Sequence, residues 1–485
     1  MFVNTMPRYE ILGEPALEAI DRAWRRLLAD IGVDFLDPAA CRVFEQAGQR
    51  VEGTRVYLDP DYVLDRLARA PSSFVLRGRN PERSVSIGGD AMTVASVGGP
   101  PFVGLGAERR DSTLADAADF IRLSHSFEQI ACVGRPLEAI ELPMETRHLD
   151  MLETLMSSTD KPYIGAGGWR TRAEDAIAMA RIVHGDAAGA SGDPLILEAI
   201  NPNSPLRFDD RMLGAMMAFA EAGQAVLVSP WLLLGATSPV TIAAGLAQAV
   251  AESLAGIALV EEIRPGCPVV LGVFISNADL RTGAPALGTP EAMIATLAAG
   301  QVARRFGVPI RIGGDGHTAS QLPDAQSGYE ALMSLLPTFL AGGNLVVDTV
   351  GWLESGLVAS LEKFVIDVEL LRMLEAAFRP LEVSDATLAL DAFEEVGPGG
   401  HFFGCEHTME RFRTCFYLPL LSSRDNFDRW SRKGRPDTAA RALEIAREAL
   451  EAFEPPSLPD AVAAELREYA ERRRAEIVAS GEVAY

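Results

Sequence analysis

VPIRIGGDGHTASQLPDAQSGYEALMSLLPTFLAGGNLVVDTV, residues 308–350, holds a short apolar run, a Gly-rich turn, a segment of helix length and a second apolar run. Strand, helix and strand in that order form a parallel unit joined by a helical crossover. The helix ends in Gly342, as helix C-termini often do. Two glycines, an aspartate and a histidine stand where the first strand hands over to the loop.

The same alternation extends in both directions. IACVGRP (130–136), PYIGAGG (162–168), LILEAIN (195–201), AVLVSP (225–230) and VVLGVFIS (269–276) read as strands before PIRIGG (309–314) and NLVVDTV (344–350). TRAEDAIAMARIVHG, DDRMLGAMMAFAEAG and PEAMIATLAAGQVARRFG read as helices between them. Seven units are visible, and HFFG (401–404) is the candidate eighth strand. The expected fold class is α/β, a (β/α)8 TIM-type barrel, with an open doubly wound sheet as the alternative. The barrel is preferred because the repeats are many and no GxGxxG follows the first strand.

Outside that run the pattern changes. EPALEAIDRAWRRLLADI, DPAACRVFEQAG and PDYVLDRLARAP read as helices, whereas SFVLRGRN, RSVSIGG and TVASVGG read as short strands between turns. We therefore divide the chain into an N-terminal α+β segment (1–110), a catalytic barrel (111–434) and a C-terminal helical extension (435–485). TAARALEIAREALEAF and DAVAAELREYAERRRAE in the extension are amphipathic, expected to pack on the barrel exterior or on a partner subunit.

Bulk properties narrow the function. The chain has 485 residues, 48% of them hydrophobic, enough for a large core. Its formal charge of −23 disfavours nucleic acid and anionic membranes as partners. Five scattered cysteines without a CxxC pair point to a reducing compartment, the cytoplasm, and away from a zinc-thiolate knuckle. The N-terminus lacks the pattern of a signal peptide. Residues 222–251 carry no charge over a length that would span a bilayer, yet Pro230, Pro239 and several polar residues make them a buried strand, loop and helix.

If the fold is a barrel, the working face lies at the C-terminal ends of its strands. That rule selects Gly165, Gly167, Gly168, Asn201, Asn203, Ser229, Trp231, Ser276, Asn277, Gly313, Gly314, Asp315 and Asp348, with Glu354 in the next loop. A carboxylate at such a place needs a cation, a donor or a proton. Asp348 and Glu354 with Trp231, Phe274 and Trp352 make a suitable box for a quaternary ammonium group. The competing reading is core packing for the aromatics and a helix cap for Asp348. Asp315-Gly316-His317 resembles the cobalt-ligating Asp-x-His-x-x-Gly motif, but Ser320 replaces its glycine, and a Gly-rich barrel loop is the plainer reading. His401, Cys405 and His407 form a cluster without a fourth ligand, so no metal site is expected. No Walker loop, GxSxG, HExxH or EF-hand loop occurs.

Several blocks carry a family likeness. GGDGHTASQLPDAQSGYEALMSLLPTFLAGGNLVVDTVGWLESGLVASLEKFVIDVELLRM resembles the trimethylamine methyltransferase family, as do NPERSVSIGGDAMTVASVGGPPFV, GGHFFGCEHTMERFR and PPSLPDAVAAELREYAERRRAE. The likeness spans nearly the whole chain. It implies a barrel enzyme that moves a methyl group from trimethylamine, or in the branch without pyrrolysine from a quaternary amine such as glycine betaine, to the Co(I) of a corrinoid carried by a separate protein. This chain shows only standard residues, so the resemblance is to that second, glycine betaine methyltransferase-like branch. It implies no tightly bound cofactor, a small methylated amine and a cognate corrinoid protein as partners, and a homo-oligomer. The corrinoid-facing loop would be Gly313, Gly314, Asp315 and His317, with Gln326 and Glu330 bracing it. One departure matters. Many members read Tyr-His where this chain has Val347-Asp348. An aspartate repels the carboxylate of a betaine, so a choline- or carnitine-like donor or tetramethylammonium gains ground. The competing functions are a barrel lyase or aldolase, for which a strand-end lysine is missing, and a non-catalytic barrel that binds a methylated amine.

Overall fold

In the computed structural model, which describes residues 2–165, 167–185 and 192–481, the decisive stretch folds as the pattern predicts. Its strands are Ile310–Ile312 and Leu345–Val346, and its helix is Ala325–Ala341. Asp324 caps the helix by accepting from the Ser327 amide, and Gly342 ends it at φ 73°, where a side chain would be strained. Ala166, in the expected strand 162–168, lies outside the described residues, as do 482–485.

The strands that matter to the site are β1 (Ala91–Val94), β2 (Leu197–Ile200), β3 (Ala225–Val228), β4 (Trp231–Leu234), β5 (Val269–Ala278), β6 (Ile310–Ile312) and β7 (Leu345–Val346). The helices around them are α1 (Arg170–His184), α2 (Asp210–Glu221), α3 (Ile242–Ile263), α4 (Pro290–Ala303), α5 (Ala325–Ala341) and α6 (Leu361–Ala377). β2, β3, β5 and β6 pair in parallel in that order, and β4 joins β5 in parallel. Single parallel pairings carry the order back toward the N-terminus: Ile164 with Leu197, Val133 with Tyr163, and Ala95 with Cys132. β7 pairs in parallel with β1, and the Asn344 amide donates to Ile310 O at 2.9 Å beside β6. The architecture is mixed α/β. The strands are buried on both faces, which is why they read as continuous apolar runs.

Two expectations need correction or extension. HFFG is not a strand: Phe402–Gly404 forms a short helical turn, and Phe403 is 86% exposed, so no sheet face covers it. A pair of aromatics bounded by glycines imitated a strand. The additional parallel partner is β1, from TVASVGG, within the segment read as separate. β1 is antiparallel to Phe2–Val3 on one edge and to Val85–Gly88 on the other, and its last two residues, Thr93 and Val94, pair in parallel with β7. Local pattern revealed the strand but not its parallel partner.

α3 is long and apolar enough to cross a membrane by composition, yet 83% of its apolar window is buried within the protein. Its Glu252 is fully buried and accepts from Ser204 Oγ (2.6 Å), the Leu206 amide (2.7 Å) and Gln248 Nε2 (2.9 Å), as a buried carboxyl requires. The C-terminal helices pack outside, Thr438–Glu451 on α6 and Asp460–Ser480 on α1 and Arg147–Ser158.

Asn344 stitches β6, β7 and β1 together. Its Oδ1 accepts from the Ile310 amide (3.0 Å), and its Nδ2 donates to Gly89 O (2.8 Å) and Ala91 O (3.1 Å). Asn344→Ala leaves these backbone groups without partners. At roughly 1–3 kcal/mol for each unsatisfied buried group, we expect a loss of about 3 kcal/mol or more. Denaturant unfolding of the variant beside wild type checks this, and an unchanged midpoint would refute the stitch.

Candidate functional site

At the C-terminal ends of the strands the backbone is shaped around charge. Gly165 follows the pairing at Ile164, and a Cβ there would lie 2.4 Å from Glu198 Oε2. Glycine thus makes room for the Glu198 carboxyl, which points in from β2 at 1% exposure. The Gly167 amide donates to Oε2 at 3.4 Å, while Oε1 has no hydrogen-bond partner among the described residues. Burial pushes this carboxyl up to about 7, against the opposing pull of Arg135 and the Gly167 and Gly168 amides.

A second chain of contacts crosses the mouth. On β4 and β5, Trp231 and Phe274 are neighbours in register, and their rings stack 5.9 Å apart, 5° from parallel. The Arg311 guanidinium, from β6, lies 4.6 Å from the centre of the Phe274 ring. Its Nη2 donates to Asp315 Oδ1, and Asp315 Oδ2 lies 3.3 Å from His317 Nδ1. The His317 ring meets the Trp352 ring edge-on at 4.5 Å. Arg311, Asp315, His317 and Trp352 are all buried, yet Arg311 Nε and Nη1, Asp315 Oδ2, His317 Nδ1 and Trp352 Nε1 have no hydrogen-bond partner among the described residues. Each such atom costs about 1–3 kcal/mol if left bare. Concentrated in one place, they mark where a polar ligand or water completes the bonding.

Asp348 sits in the left-handed region at φ 55°, and its carbonyl accepts from the Gly316 amide (2.9 Å). Burial raises its carboxyl, opposed by His317 and reinforced by Asp315, while Arg135 and Arg311 pull it back down. Asp348 therefore belongs with the Arg311–Asp315–His317 group. Glu354 does not: it is ion-paired to Arg109, a residue distant in sequence.

The glycines of the expected corrinoid-facing loop have intramolecular reasons. A Cβ on Gly313 would lie 2.4 Å from Thr296 Oγ1, and one on Gly314 would lie 2.5 Å from Val346 Cγ1. The surfaces that approach them are α4 and β7. Glu330 braces the loop as expected. It accepts from Thr318 Oγ1 and from the Ala319 amide (2.9 Å), and Gln326 Nε2 donates to its other oxygen (2.9 Å). Asn203 and Asn277 serve local turns through Asp209 and Thr289, Ser276 donates to Ala286 O, and the backbone of Ser229 is tight against Gly272. His401 is exposed, and Cys405 is buried with Sγ on Thr408 Oγ1 (3.3 Å). Among the described residues no group of three possible ligands could hold a metal ion.

Lysines that would serve a lyase are engaged elsewhere. Lys161 Nζ donates to Ser124 O, Phe127 O and Ile130 O at 2.7–2.9 Å, and Lys363 pairs with Asp367 from within α6. Sequence reasoning missed Glu198, Arg135 and Arg311. The signal was present: a single charge inside an otherwise apolar buried strand, as in LILEAIN and VPIRI, demands a partner or a function.

Comparison with known proteins identifies the family. The family model for trimethylamine methyltransferase (MTTB) matches residues 1–478. A glycine betaine methyltransferase of Desulfitobacterium hafniense is 37% identical over 474 residues, covering 97% of this chain and 98% of its own. A trimethylamine methyltransferase of the same species is 30% identical, over 94% and 92% of the two chains. A proline betaine:corrinoid methyltransferase of Eubacterium limosum is 28% identical, over 87% and 89%. A crystal structure of monomethylamine methyltransferase from Methanosarcina barkeri shares the fold, with a TM-score of 0.54 at 10% identity over 93% and 90% of the chains. The chain belongs to the trimethylamine methyltransferase family. The expectation of a corrinoid-dependent methyltransferase is met at that level.

The raised Glu198 carboxyl has a consequence for stability. Its folded value of about 7 exceeds the ordinary 4.5 of an unfolded glutamate. Between these values the native state keeps a proton that the unfolded chain has released, so stability falls as pH rises through the window. The full cost above it is about 3 kcal/mol. Glu198→Gln removes the titration. Relative to wild type, we expect the variant to be more stable at pH 8 than at pH 5 by roughly that amount. Equal differences at the two pH values in denaturant melts would contradict the assignment.

Proposed function

We propose that this chain is a (β/α)8 barrel methyltransferase that takes a methyl group from a quaternary amine and delivers it to the Co(I) of a corrinoid held by a separate protein. The observation that carries this reading is the floor of the mouth, where the Trp231–Phe274 stack lies against a buried group of Arg311, Asp315, His317 and Asp348. We propose the division into 1–110, 111–434 and 435–485, with β1 contributed by the first segment to the sheet of the second. The corrinoid is the acceptor substrate and arrives with its carrier. The loop Gly313–His317 and Gln326 are the proposed approach to it. We place the reaction in the cytoplasm, on the five free cysteines, and expect a homo-oligomer.

The chemistry fits a quaternary donor. The Co(I) electron pair forms the new Co–C bond, the C–N bond breaks, cobalt becomes Co(III), and nitrogen leaves with its pair as a neutral tertiary amine. No proton has to be supplied, so the site's task is to position the donor and exclude water. Aromatic faces and a carboxylate hold the cation, but moderately, because its charge fades in the transition state. Glu354, neutralised by Arg109, takes no part in this. Asp348 favours a donor without a carboxylate beside the ammonium. A betaine is the second reading, favoured by the unpartnered Nε and Nη1 donors of Arg311.

Anaerobic mixing with the reduced corrinoid protein and a panel of methylated amines, followed by the absorbance change from Co(I) to methyl-Co(III), tests the reading. Turnover is expected with a quaternary amine. Trp231→Ala should raise the KM for that donor roughly tenfold, since an aromatic face contributes about 0.5–2 kcal/mol to a bound cation. If no quaternary amine turns over with any candidate corrinoid protein, the proposal fails.

A further inference from the structure

Beside the mouth lies a cleft of ≈ 460 Å³. Arg135, Arg147, Arg172 and Arg211 line it, together with Glu138 and Asn201. Four guanidiniums at one place stand out in a chain of formal charge −23. Their local partners do not balance them. Arg147 pairs with Glu138 at 2.8 Å, and Arg211 reaches Asp209 only at 3.9 Å. Arg172 Nη2 donates to a neutral carbonyl, Met144 O (2.8 Å), and among the described residues no carboxylate pairs with Arg135 or Arg172.

Other features agree. Arg147 Nε and Arg172 Nε are buried without a hydrogen-bond partner. Burial, with Arg147 and Arg211 nearby, pulls the Arg172 guanidinium below its ordinary value against Glu138 and Glu145, so a cation is held there at a cost. α1 starts at this cleft, and its N-cap residue, Trp169, supplies no side-chain cap. A helix N-terminus adds partial positive charge to the guanidiniums. Arg135 connects the cleft to the mouth. A Cβ on Gly167 would lie 2.4 Å from its Nη1, and its charge is felt by both Glu198 and Asp348.

We propose that this cleft is an anion-binding subsite for a carboxylate or phosphate group, held by Arg147, Arg172 and Arg211 with Arg135 at its inner edge. Guanidiniums bind both groups in the same forked geometry. The group has two possible sources: the far end of a zwitterionic methyl donor, or a free anion that acts as an effector. Only the first rests on the proposed methyl transfer.

Calorimetry on the full-length protein tests the site without any turnover. Inorganic phosphate and succinate are titrated into wild type, Arg172→Gln and Arg211→Gln. Arg211 has a side chain 45% exposed, so its variant keeps the fold if the half-buried Arg172 variant does not. Choline, glycine betaine and 4-(trimethylammonio)butanoate are titrated in parallel. If the donor's own carboxylate is the occupant, the carboxylated amines lose roughly tenfold or more in affinity in the variants and choline does not, as expected for a charge-assisted bond. If a free anion is the occupant, phosphate or succinate binds wild type and is weakened to that extent, while the three amines are unaffected. If neither anion binds wild type at millimolar concentrations and the amines bind all three proteins equally, the subsite is refuted. Failure of the methyl-transfer reading shows separately, as absent turnover with anion binding intact.

Discussion

The structure depends on one parallel pairing between residues more than 250 positions apart, β1 against β7, held by the side chain of Asn344. Thr93 N donates to Asn344 O at 2.7 Å, and Ala95 N to Val346 O at 2.8 Å, so the N-terminal segment is built into the sheet. Without that pairing, β7 would present an unpaired edge inside the protein, where bare backbone groups are costly. It also sets where the strand ends fall. Asp348 lies two residues beyond β7, and its carbonyl takes the Gly316 amide, which locks the loop after β6 to the loop after β7. The Arg311–Asp315–His317 group is therefore positioned by backbone bonds on both sides.

That lock explains a glycine the motif reading left open. A Cβ on Gly316 would lie 1.9 Å from Thr349 O. In Asp-Gly-His, the glycine allows two loops to touch, and the aspartate and histidine then face Arg311 and Trp352. Lys363 closes the same junction from α6, donating to Gly316 O (3.1 Å) and pairing with Asp367, whose other oxygen takes the Gly351 amide (2.9 Å). The resemblance to a cobalt-ligating sequence is thus local, and its residues have partners within the fold.

How much of this was legible depended on whether the cause was local. Strands and helices from 310 to 350 were readable because apolar runs, an Asp cap and a terminal glycine are neighbours in sequence. Trp231, Asp315 and Asp348 were singled out by the rule that barrel chemistry sits at strand ends, and the structure places Asp315 and Asp348 with Arg311. Glu354 was misleading because its partner, Arg109, comes from a distant hairpin. β1 was recognised as a strand but assigned to the N-terminal α+β segment, since a neighbour in the adjacent sequence is visible and a parallel partner more than 250 positions away is not. Glu198 and Arg311 were overlooked for the opposite reason: the apolar runs around them marked strands so clearly that the lone charge went unweighed.

Charge, finally, orders the mouth. The exterior is acidic overall and repels anions at long range while tolerating cations. Inside, arginines face the site from two sides, the buried Arg311 on one and the partly exposed Arg135 with its neighbours on the other. A purely cationic donor would meet these guanidiniums as repulsion and needs Asp348 and Asp315 to offset it. Under the proposed reading a zwitterion would meet both signs at once, its ammonium against Trp231 and the aspartates and its anionic end against arginine. Such a division favours donors by the separation of their charges. Asp348 is where the two arginine groups meet, because Arg135 and Arg311 both act on its carboxyl.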